Sequence, residues 1–447
     1  MDHADNQKRY PATDRTSPDG VRLAEIPVNI VTAKDKFECL ADIFLNYQRN
    51  GSLWLEVPAS NRIGPPGTEV SITNHQTIPF KGEVTGLAGL IGETGPLQMR
   101  LIIEATLEPL DCKRQSSLRK VQFALLDCPF PGPRTTQRGG WIVEPVTLNV
   151  GGFKIILGHP TASHEALMKE LGRRPRTLTH SGIITHHTGE DFDSEAAKVI
   201  LDAICNSLSF AAGRWLGMTA VEGLDDNNQL RWFRWGVTRM NSSQASMGFH
   251  RDGDANALAN ILEGFLTLKP GDEQDTIQTA LYWYFRSNST GAGVDGSIIL
   301  SQCALELLSW WVIVRREMAL TESGFGQLAS SAERLRLMLK LLGIPSAIPA
   351  TLRSLVAFAK SEQWLDIADA TTEGRNYLVH PTAVKKGTRR KKKDMPWQEL
   401  WQAAQWTLEL TLLRLLSYNG HYLNRTKRTK LQDLPTSFEP VPWKSAG

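Results

Sequence analysis

The spacing of apolar residues changes along the chain, and it first indicates strands. From about Val28 to Ile156 apolar and polar side chains alternate in short runs, separated by clusters of Gly, Pro and Asn. Alternation with a period of two, broken by turn residues, is typical of strands in a sandwich or barrel. The pattern therefore predicts a β-rich domain over residues 26–157. The polar leader before it, residues 1–25, is expected to be disordered.

The middle of the chain, residues 158–260, combines two periodicities. The stretch SEAAKVILDAICNSLSFAAG, which begins at Ser194, has helical spacing, and Asp193 or Ser194 is the expected N-cap. The stretch LRWFRWGV, which begins at Leu230, alternates like a strand. We expect a mixed α/β region here, and its residues indicate no particular chemistry.

The last part of the chain has helical spacing throughout. From about residue 255 onward, apolar positions recur every three or four residues between boundaries of Gly, Pro, Ser or Thr. These boundaries predict helices over residues 276–286, 297–317, 326–342, 350–360, 364–380 and 396–418. The expected fold is a multidomain α+β chain that has an all-α bundle over residues 261–425 and a tail over residues 426–447.

The composition is that of a globular protein with no segment for a membrane. The chain has 447 residues, of which 41% are hydrophobic. Its longest apolar run, SIILSQCALELLSWWVIV from Ser297, is interrupted by Gln302, Glu306 and Ser309, so it predicts a buried helix. The N-terminus is polar and lacks the apolar core of a secretory signal. We expect a cytoplasmic protein that does not bind membranes.

Cysteine and histidine residues give no metal signature. The five cysteines are scattered, with no C-x-x-C pair, so neither a disulfide framework nor a zinc site is indicated. Three histidines lie close together, at His180, His186 and His187. The side chains of His186 and His187 would point to opposite faces of a strand, so we favour a turn or strand edge over a metal site. No metal or other cofactor is expected.

The strongest chemical signal is Arg375-Asn376-x-x-x-His380, followed directly by Pro381. Proline pushes the preceding residue out of the helical region, so His380 should lie at the C-terminal end of a helix. Imidazole can transfer a proton near neutral pH. The guanidinium of Arg375 suits phosphate oxygens, and Asn376 adds a donor and an acceptor. Together these groups can bind a phosphodiester and move a proton.

A basic tract follows this motif at once. The whole chain has a net charge of only +3, so the remainder would be negative without the tract. Such a tract is suited to a nucleic-acid backbone, although it could equally be a solvated loop with no specific partner. The candidate nucleic-acid-binding residues are Lys385, Lys386, Arg389, Arg390, Lys391, Lys392 and Lys393.

The Arg-Asn-x-x-x-His-Pro string in a C-terminal helical bundle resembles the active-site signature of HEPN-superfamily ribonucleases. The resemblance covers about residues 275–418. The earlier helix LSQCALELLSWWVI resembles the partner helix of such domains, with Glu306 where a polar residue often faces the site. HEPN toxins silenced by nucleotidyl transfer carry Tyr two residues after the His, whereas Thr382 stands here, so that control is not expected.

The resemblance implies a metal-independent endoribonuclease that works as a homodimer, with two copies of the motif in one cleft. His380 would be the general base on the ribose 2′-hydroxyl, and His380 of the second copy would be the acid. Arg375 would stabilise charge on the phosphorane, and Asn376 would orient the phosphate or the imidazole. Large bacterial proteins of this kind often act in antiviral defence, so a trigger of phage or nucleotide origin is an expected partner beside the RNA substrate.

Two other interpretations stay open at this level. The motif could be an ordinary helix end, at which Arg375 pairs with Glu373 or Asp369 and His380 caps carbonyl groups. The chain could also be a non-catalytic scaffold, in which the bundle only dimerises and the basic tract only holds nucleic acid.

Overall fold

The chain divides into two compact units. The first, here called the sheet unit, comprises residues 1–201 and 216–243, and the second, the helical unit, comprises residues 202–215 and 244–447. The structure is a computed structural model, which describes residues 16–17, 20–33, 36–46, 52–58, 69–74, 79–88, 98–103, 110–111, 117–129, 134–137, 140–158, 178–241, 248–250, 254–289, 293–380, 394–427 and 437–444.

The sheet unit begins with a seven-stranded antiparallel sheet of order β1-β2-β3-β4-β7-β6-β5. Because β5 also pairs with β2, six of these strands close on themselves, which leaves no free edge among them. This closure is the barrel alternative that the alternating pattern predicts. The strands are β1 (Thr16–Ser17), β2 (Gly20–Val31), β3 (Lys36–Asn46), β4 (Ser52–Pro58), β5 (Glu69–Asn74), β6 (Pro79–Ala88) and β7 (Gln98–Ile103).

A second seven-stranded antiparallel sheet follows, of order β12-β13-β14-β9-β15-β16-β8, and β10 and β11 form a separate hairpin. Its strands are β8 (Leu110–Asp111), β9 (Lys120–Leu126), β12 (Val146–Val150), β13 (Phe153–Gly158), β14 (Leu178–His186), β15 (Gly217–Leu224) and β16 (Leu230–Val237), while the hairpin has β10 (Arg134–Gln137) and β11 (Gly140–Val143).

The strands depart from the expected boundaries at two places. The strand β2 begins at Gly20, inside the segment expected to be a leader. The second sheet runs across position 157/158, where the pattern predicts a domain boundary, because β13 pairs with β14 from the far side of it. The apolar spacing changes near position 157/158 because the local structure changes. The same sheet nevertheless includes strands from both sides of this position.

Between β14 and β15 lies the helix α1 (Ser194–Ala212). The Asp193 side chain accepts a hydrogen bond from the amide of Ala196 at 2.8 Å, which makes Asp193 the cap. The division between the two units falls within this helix, after Leu201.

The helical unit contains helices in each predicted stretch, with ends shifted by a few residues, but two helices share the stretch 326–342 and a helix over residues 255–266 is not among those predicted. The helices are α2 (Ala255–Leu266), α3 (Asp272–Ser287), α4 (Gly293–Trp310), continued by a π-helical turn (Trp311–Arg316), α5 (Glu322–Gln327), α6 (Ser331–Leu342), α7 (Arg353–Glu362), α8 (Ile367–Val379) and α9 (Trp397–Leu415).

Local chemistry explains where these helices begin and end. Asp254, Ser330 and Asp366 accept hydrogen bonds from amides in the first turns of α2, α6 and α8. Gly343 ends α6 with a left-handed φ of 67°, a conformation that glycine adopts without strain. These signals are local, which is why the sequence places the helices well.

The predicted mixture of α and β structure is confirmed, whereas an all-α C-terminal bundle is not. After α9 the chain forms an antiparallel hairpin of β17 (His421–Leu423) and β18 (Phe438–Pro440), and a short 3-10 turn (Pro442–Lys444) follows. These strands are three residues long, too short for a period of two to show in the sequence.

One helical stretch, residues 293–316, is long and apolar enough to cross a membrane by length and composition alone. However, 61% of its most apolar window is buried inside the protein, as is usual for a core helix of a soluble protein. The finding does not contradict the predicted cytoplasmic location.

A buried ion pair lies in the core of the helical unit. Arg425 is 1% exposed and donates through Nε to Oε2 of Glu409 at 2.8 Å, while its Nη2 pairs with the other oxygen of that carboxylate. Its Nη1 donates to Asn288 Oδ1 at 3.2 Å, and the hydroxyl of Tyr284 donates to Glu409 Oε1 at 2.5 Å. Burial and the adjacent carboxylate raise the pKa of Tyr284, so its hydroxyl remains a donor.

Candidate functional site

The motif residues lie in the last turn of α8 and directly after it. Asp366 caps the start of this helix, and Gly374 lets it approach α9, because a Cβ at that position would lie 2.2 Å from Leu400 Cδ2. The helix ends at Val379, and the amide of His380 still donates to the carbonyl of Asn376 at 3.0 Å. His380 itself has extended backbone angles, φ −104° and ψ 105°, as expected for a residue before proline.

The guanidinium of Arg375 is directed at the imidazole of His380. Arg375 Nη1 lies 3.2 Å from His380 Nε2 and 3.3 Å from Asn376 Oδ1. Because arginine only donates, Nε2 must accept in this contact, and the imidazole then carries its proton on Nδ1. The structure therefore brings Arg375, Asn376 and His380 together, with the imidazole exposed to solvent.

Neither Glu373 nor Asp369, the residues that the helix-end interpretation pairs with Arg375, forms an ion pair with it. Asp369 accepts from Arg336 Nη2 at 2.8 Å and from the amide of Leu365 at 2.8 Å. Glu373 is exposed. Within the part of the chain that the structure describes, no carboxylate forms an ion pair with Arg375, and its Nε is buried without a partner. Among the described residues, Arg375 therefore has no ion-pair partner, and it lies beside an exposed imidazole.

Glu306 lies on α4, the helix that is connected to α8 through a hydrogen bond of Gln302. Gln302 Nε2 donates to Glu306 Oε1 at 3.3 Å and, across to α8, to Thr372 Oγ1 at 3.4 Å. The thiol of Cys303 is affected by both sides of this contact: burial and then Glu306 raise its pKa, while Arg375 lowers it. Glu306 and Arg375 therefore lie within electrostatic range of one thiol at the seam between α4 and α8.

The basic tract, Lys385, Lys386, Arg389, Arg390, Lys391, Lys392 and Lys393, lies outside the described residues. The chain is described up to His380 and again from Asp394. The proposed role of the tract rests on its charge and on its place in the sequence directly after the motif.

The three central histidines are found at the end of a strand. His180 and His186 belong to β14, and His187 begins a turn, in which its Nδ1 lies 2.6 Å from the carbonyl oxygen of Gly152. Because His187 leaves the strand, the rings of His186 and His187 come within 4.9 Å of each other. Among the residues described, no group of three or more His, Cys, Asp or Glu side chains could hold a metal ion.

The sequence interpretation missed Gln302 and Thr372. Gln302 is 1% exposed and has two partners, one of which is a residue of the proposed site. A signal for it was present, since Gln302 and Glu306 are polar residues four positions apart in an otherwise apolar helix. Nothing in the sequence, however, pairs that helix with Thr372.

Two stretches of the chain match models of known protein families. Residues 113–246, which include most of the second sheet and α1, match the family described as the YopA central domain. Residues 271–434, which include α3 to β17, match the family described as the YopA C-terminal domain. No solved structure matches the chain.

A curated relative is the "SPbeta prophage-derived uncharacterized protein YopA" of Bacillus subtilis (strain 168). The two chains are 26% identical over 280 residues, which is 60% of this chain and 58% of the relative. The chain thus spans less than two thirds of the length of the relative. Over residues 113–246 and 271–434, the protein is therefore similar to the central and C-terminal domains of YopA.

Proposed function

We propose that the helical unit is a metal-independent endoribonuclease of the HEPN type, with Arg375, Asn376 and His380 as its half-site. The observation that carries this proposal is the 3.2 Å contact between Arg375 Nη1 and His380 Nε2. A permanently charged guanidinium that has no acidic partner among the described residues, and that lies against an exposed imidazole, is suited to an incoming phosphate.

Substrate binding would rearrange this contact. A phosphodiester offers Arg375 charged oxygens in place of a neutral ring nitrogen, and charge-assisted hydrogen bonds are the stronger ones. When the guanidinium turns to the phosphate, Nε2 of His380 becomes free to accept a proton. Asn376, which contacts Arg375 through Oδ1, would orient the guanidinium or the phosphate.

The cleavage would then proceed by proton transfer through two histidines. His380 Nε2 takes the proton of the ribose 2′-hydroxyl, and the 2′-oxygen attacks the phosphorus. The bond from phosphorus to the 5′-oxygen breaks, and that oxygen takes a proton from His380 of a second copy. The products are a 2′,3′-cyclic phosphate and a 5′-hydroxyl, and Arg375 stabilises the charge on the phosphorane.

The partners of this proposal are RNA and a second copy of the chain. Because one copy supplies a single His380, a homodimer provides the second proton-transfer group. Glu306 would take part as the acidic group of the partner helix, and the tract from Lys385 to Lys393 would hold the RNA backbone. A role in antiviral defence, with a trigger of phage or nucleotide origin, belongs to the same proposal. Its support is the resemblance of the motif to the HEPN ribonuclease signature.

The test is RNA cleavage by the purified full-length chain in EDTA. We expect cleavage to leave 2′,3′-cyclic phosphate ends and to be blocked by 2′-deoxy substitution at the cleaved position. His380→Ala should abolish cleavage and Arg375→Ala should lower it by about 10²–10³-fold, while the oligomeric state and the melting temperature remain unchanged. Suitable controls are His421→Ala and Arg353→Ala, since both residues are exposed and belong to other elements of the same unit, β17 and α7.

Cleavage that survives both His380→Ala and Arg375→Ala would contradict this assignment. RNA binding without cleavage, under every condition and with every RNA tried, would instead favour the non-catalytic scaffold, in which the same residues only hold phosphate groups.

A further inference from the structure

We propose that Gln302 is a positioning residue of the Arg375 and His380 site, which holds Glu306 at a fixed distance from Arg375. This inference rests on the proposed function for its effect on cleavage. Its structural part, the control of the imidazole contact by Gln302, can be measured without any cleavage.

The amide of Gln302 connects the two helices that carry the site. Its Nε2 donates to Glu306 Oε1 at 3.3 Å on its own helix and to Thr372 Oγ1 at 3.4 Å on α8. Thr372 lies one helical turn before Arg375, so side chains at these positions are neighbours on the helix surface. Gln302 therefore fixes both Glu306 and the stretch of α8 from which Arg375 projects.

The charges at the seam show why Glu306 has to be held. Glu306 and Arg375 both act on the thiol of Cys303, from α4 and α8 respectively. Arg375 nevertheless contacts the neutral His380 and not Glu306, and its Nε stays buried without a partner. A Glu306 carboxylate released from Gln302 would be attracted to the Arg375 guanidinium, because a charged pair is stronger than a neutral one. By binding Glu306, Gln302 leaves Arg375 with His380.

Stability gives little reason for this residue to be a glutamine. Gln302 Oε1 is buried and has no partner, and a buried polar atom without a hydrogen bond destabilises the folded state. A methionine of similar shape would remove that atom and keep the packing. Gln302 therefore fits a role in orienting other side chains better than a role in stabilising the core.

The protein offers a matched control in Gln405. This residue is also fully buried, and its Oε1 also lacks a partner. Its Nε2, however, donates to Ser287 and Ser301 in the core. Gln405→Met makes the same chemical change as Gln302→Met but touches none of the residues of the site.

The first readout is the imidazole of His380, observed by ¹⁵N NMR in the full chain without RNA. In Gln302→Met we expect Glu306 to draw Arg375 away, which frees Nε2 and changes the two ring ¹⁵N shifts of His380. Gln405→Met should leave these shifts as in the wild type. Identical His380 spectra in wild type and Gln302→Met would overturn the inference, whether or not the protein cuts RNA.

The second readout is the cleavage rate with saturating RNA. We expect Gln302→Met to lower kcat about 10- to 100-fold, as when groups that orient a reactive side chain are removed, with little change in KM. The melting temperature should stay the same or rise. An unchanged kcat alongside a changed His380 spectrum would remove Gln302 from the reaction.

If Gln302→Met fails to fold, Gln302→Leu replaces it, because that change also removes the amide that binds Glu306. We expect the same change of the His380 spectrum, and a wild-type spectrum in that variant would overturn the inference. A wild-type chain that cuts no RNA contradicts the proposed function alone, since the spectra still decide the role of Gln302.

Discussion

Two arginines of the helical unit have opposite surroundings. Arg425 is 1% exposed, and all of its nitrogens point to polar partners, above all to the carboxylate of Glu409. Arg375 is partly buried, and among the described residues its guanidinium forms hydrogen bonds to the side chains of Asn376 and His380, at 3.3 and 3.2 Å. A buried charge that is fully paired serves to hold the fold together. A charge left beside a solvent-exposed imidazole is available for a ligand, and that difference guides the predictions below.

Removal of Arg425 should have the largest effect. Arg425→Ala leaves Glu409 charged and buried without its partner, which costs about 3–5 kcal/mol of the free energy of unfolding. Chemical denaturation of the full chain measures this loss. The double change Arg425→Met with Glu409→Leu should lose less than Arg425→Ala alone, because no buried charge remains. An Arg425→Ala protein as stable as the wild type would show that the pair does not hold the core.

A second prediction concerns acid sensitivity, which should come from His250 and not from the Arg375 site. Burial lowers the pKa of His250 from 6.5 to about 4, although Asp254 opposes the shift. The unfolded chain then binds a proton first as the pH falls, so stability is present above pH 6.5 and is lost as the pH falls through 4.

The expected loss for the helical unit is about 2–3 kcal/mol between pH 7 and pH 4, from the size of that shift. Hydrogen exchange of α2 and α9 as a function of pH measures it. His250→Gln should reduce this loss of stability at acid pH, and Arg375→Ala should leave the loss as in the wild type. If the His250→Gln protein loses as much stability as the wild type between pH 7 and pH 4, another group is responsible.

The third prediction concerns the contribution of Arg375 to the stability of the fold. Arg375→Ala removes a side chain with no ionic partner among the described residues, so the free energy of unfolding should change by less than about 1 kcal/mol. Cleavage should nevertheless fall by about 10²–10³, as when one group that stabilises developing charge is removed. A destabilisation as large as that of Arg425→Ala would mean that Arg375 is structural.

The smallest expected effect concerns the basic tract. If Lys391, Lys392 and Lys393 each neutralise a phosphate, their replacement by Gln should lower the salt dependence of RNA binding by about 2 in the slope of log K against log salt. Binding measured at several NaCl concentrations gives this slope. The double change Lys340→Gln with Lys360→Gln is the control, since these residues are exposed on α6 and α7. An unchanged slope would separate the tract from the site.

The sequence predicts most of the helical unit because its signals are local. The caps at Asp254, Ser330 and Asp366 and the stop at Gly343 are visible in the residues themselves, and Pro381 predicts the end of α8 at the residue before His380. The short hairpin of β17 and β18 is missed because three-residue strands carry no period. The boundary at 157/158 differs because sheet pairing is decided between strands distant in the sequence.

For the site, the sequence by itself determined which groups are available: a guanidinium, an amide and an imidazole at the end of one helix, followed by concentrated positive charge. Only the tertiary structure decided between their partners. In the folded protein, Asp369 pairs with Arg336, Arg375 contacts His380, and Gln302 donates a hydrogen bond to Thr372. Spacing along one helix fixes which side chains share a face, but the choice of an ionic partner depends on the neighbouring helices, which no local pattern specifies.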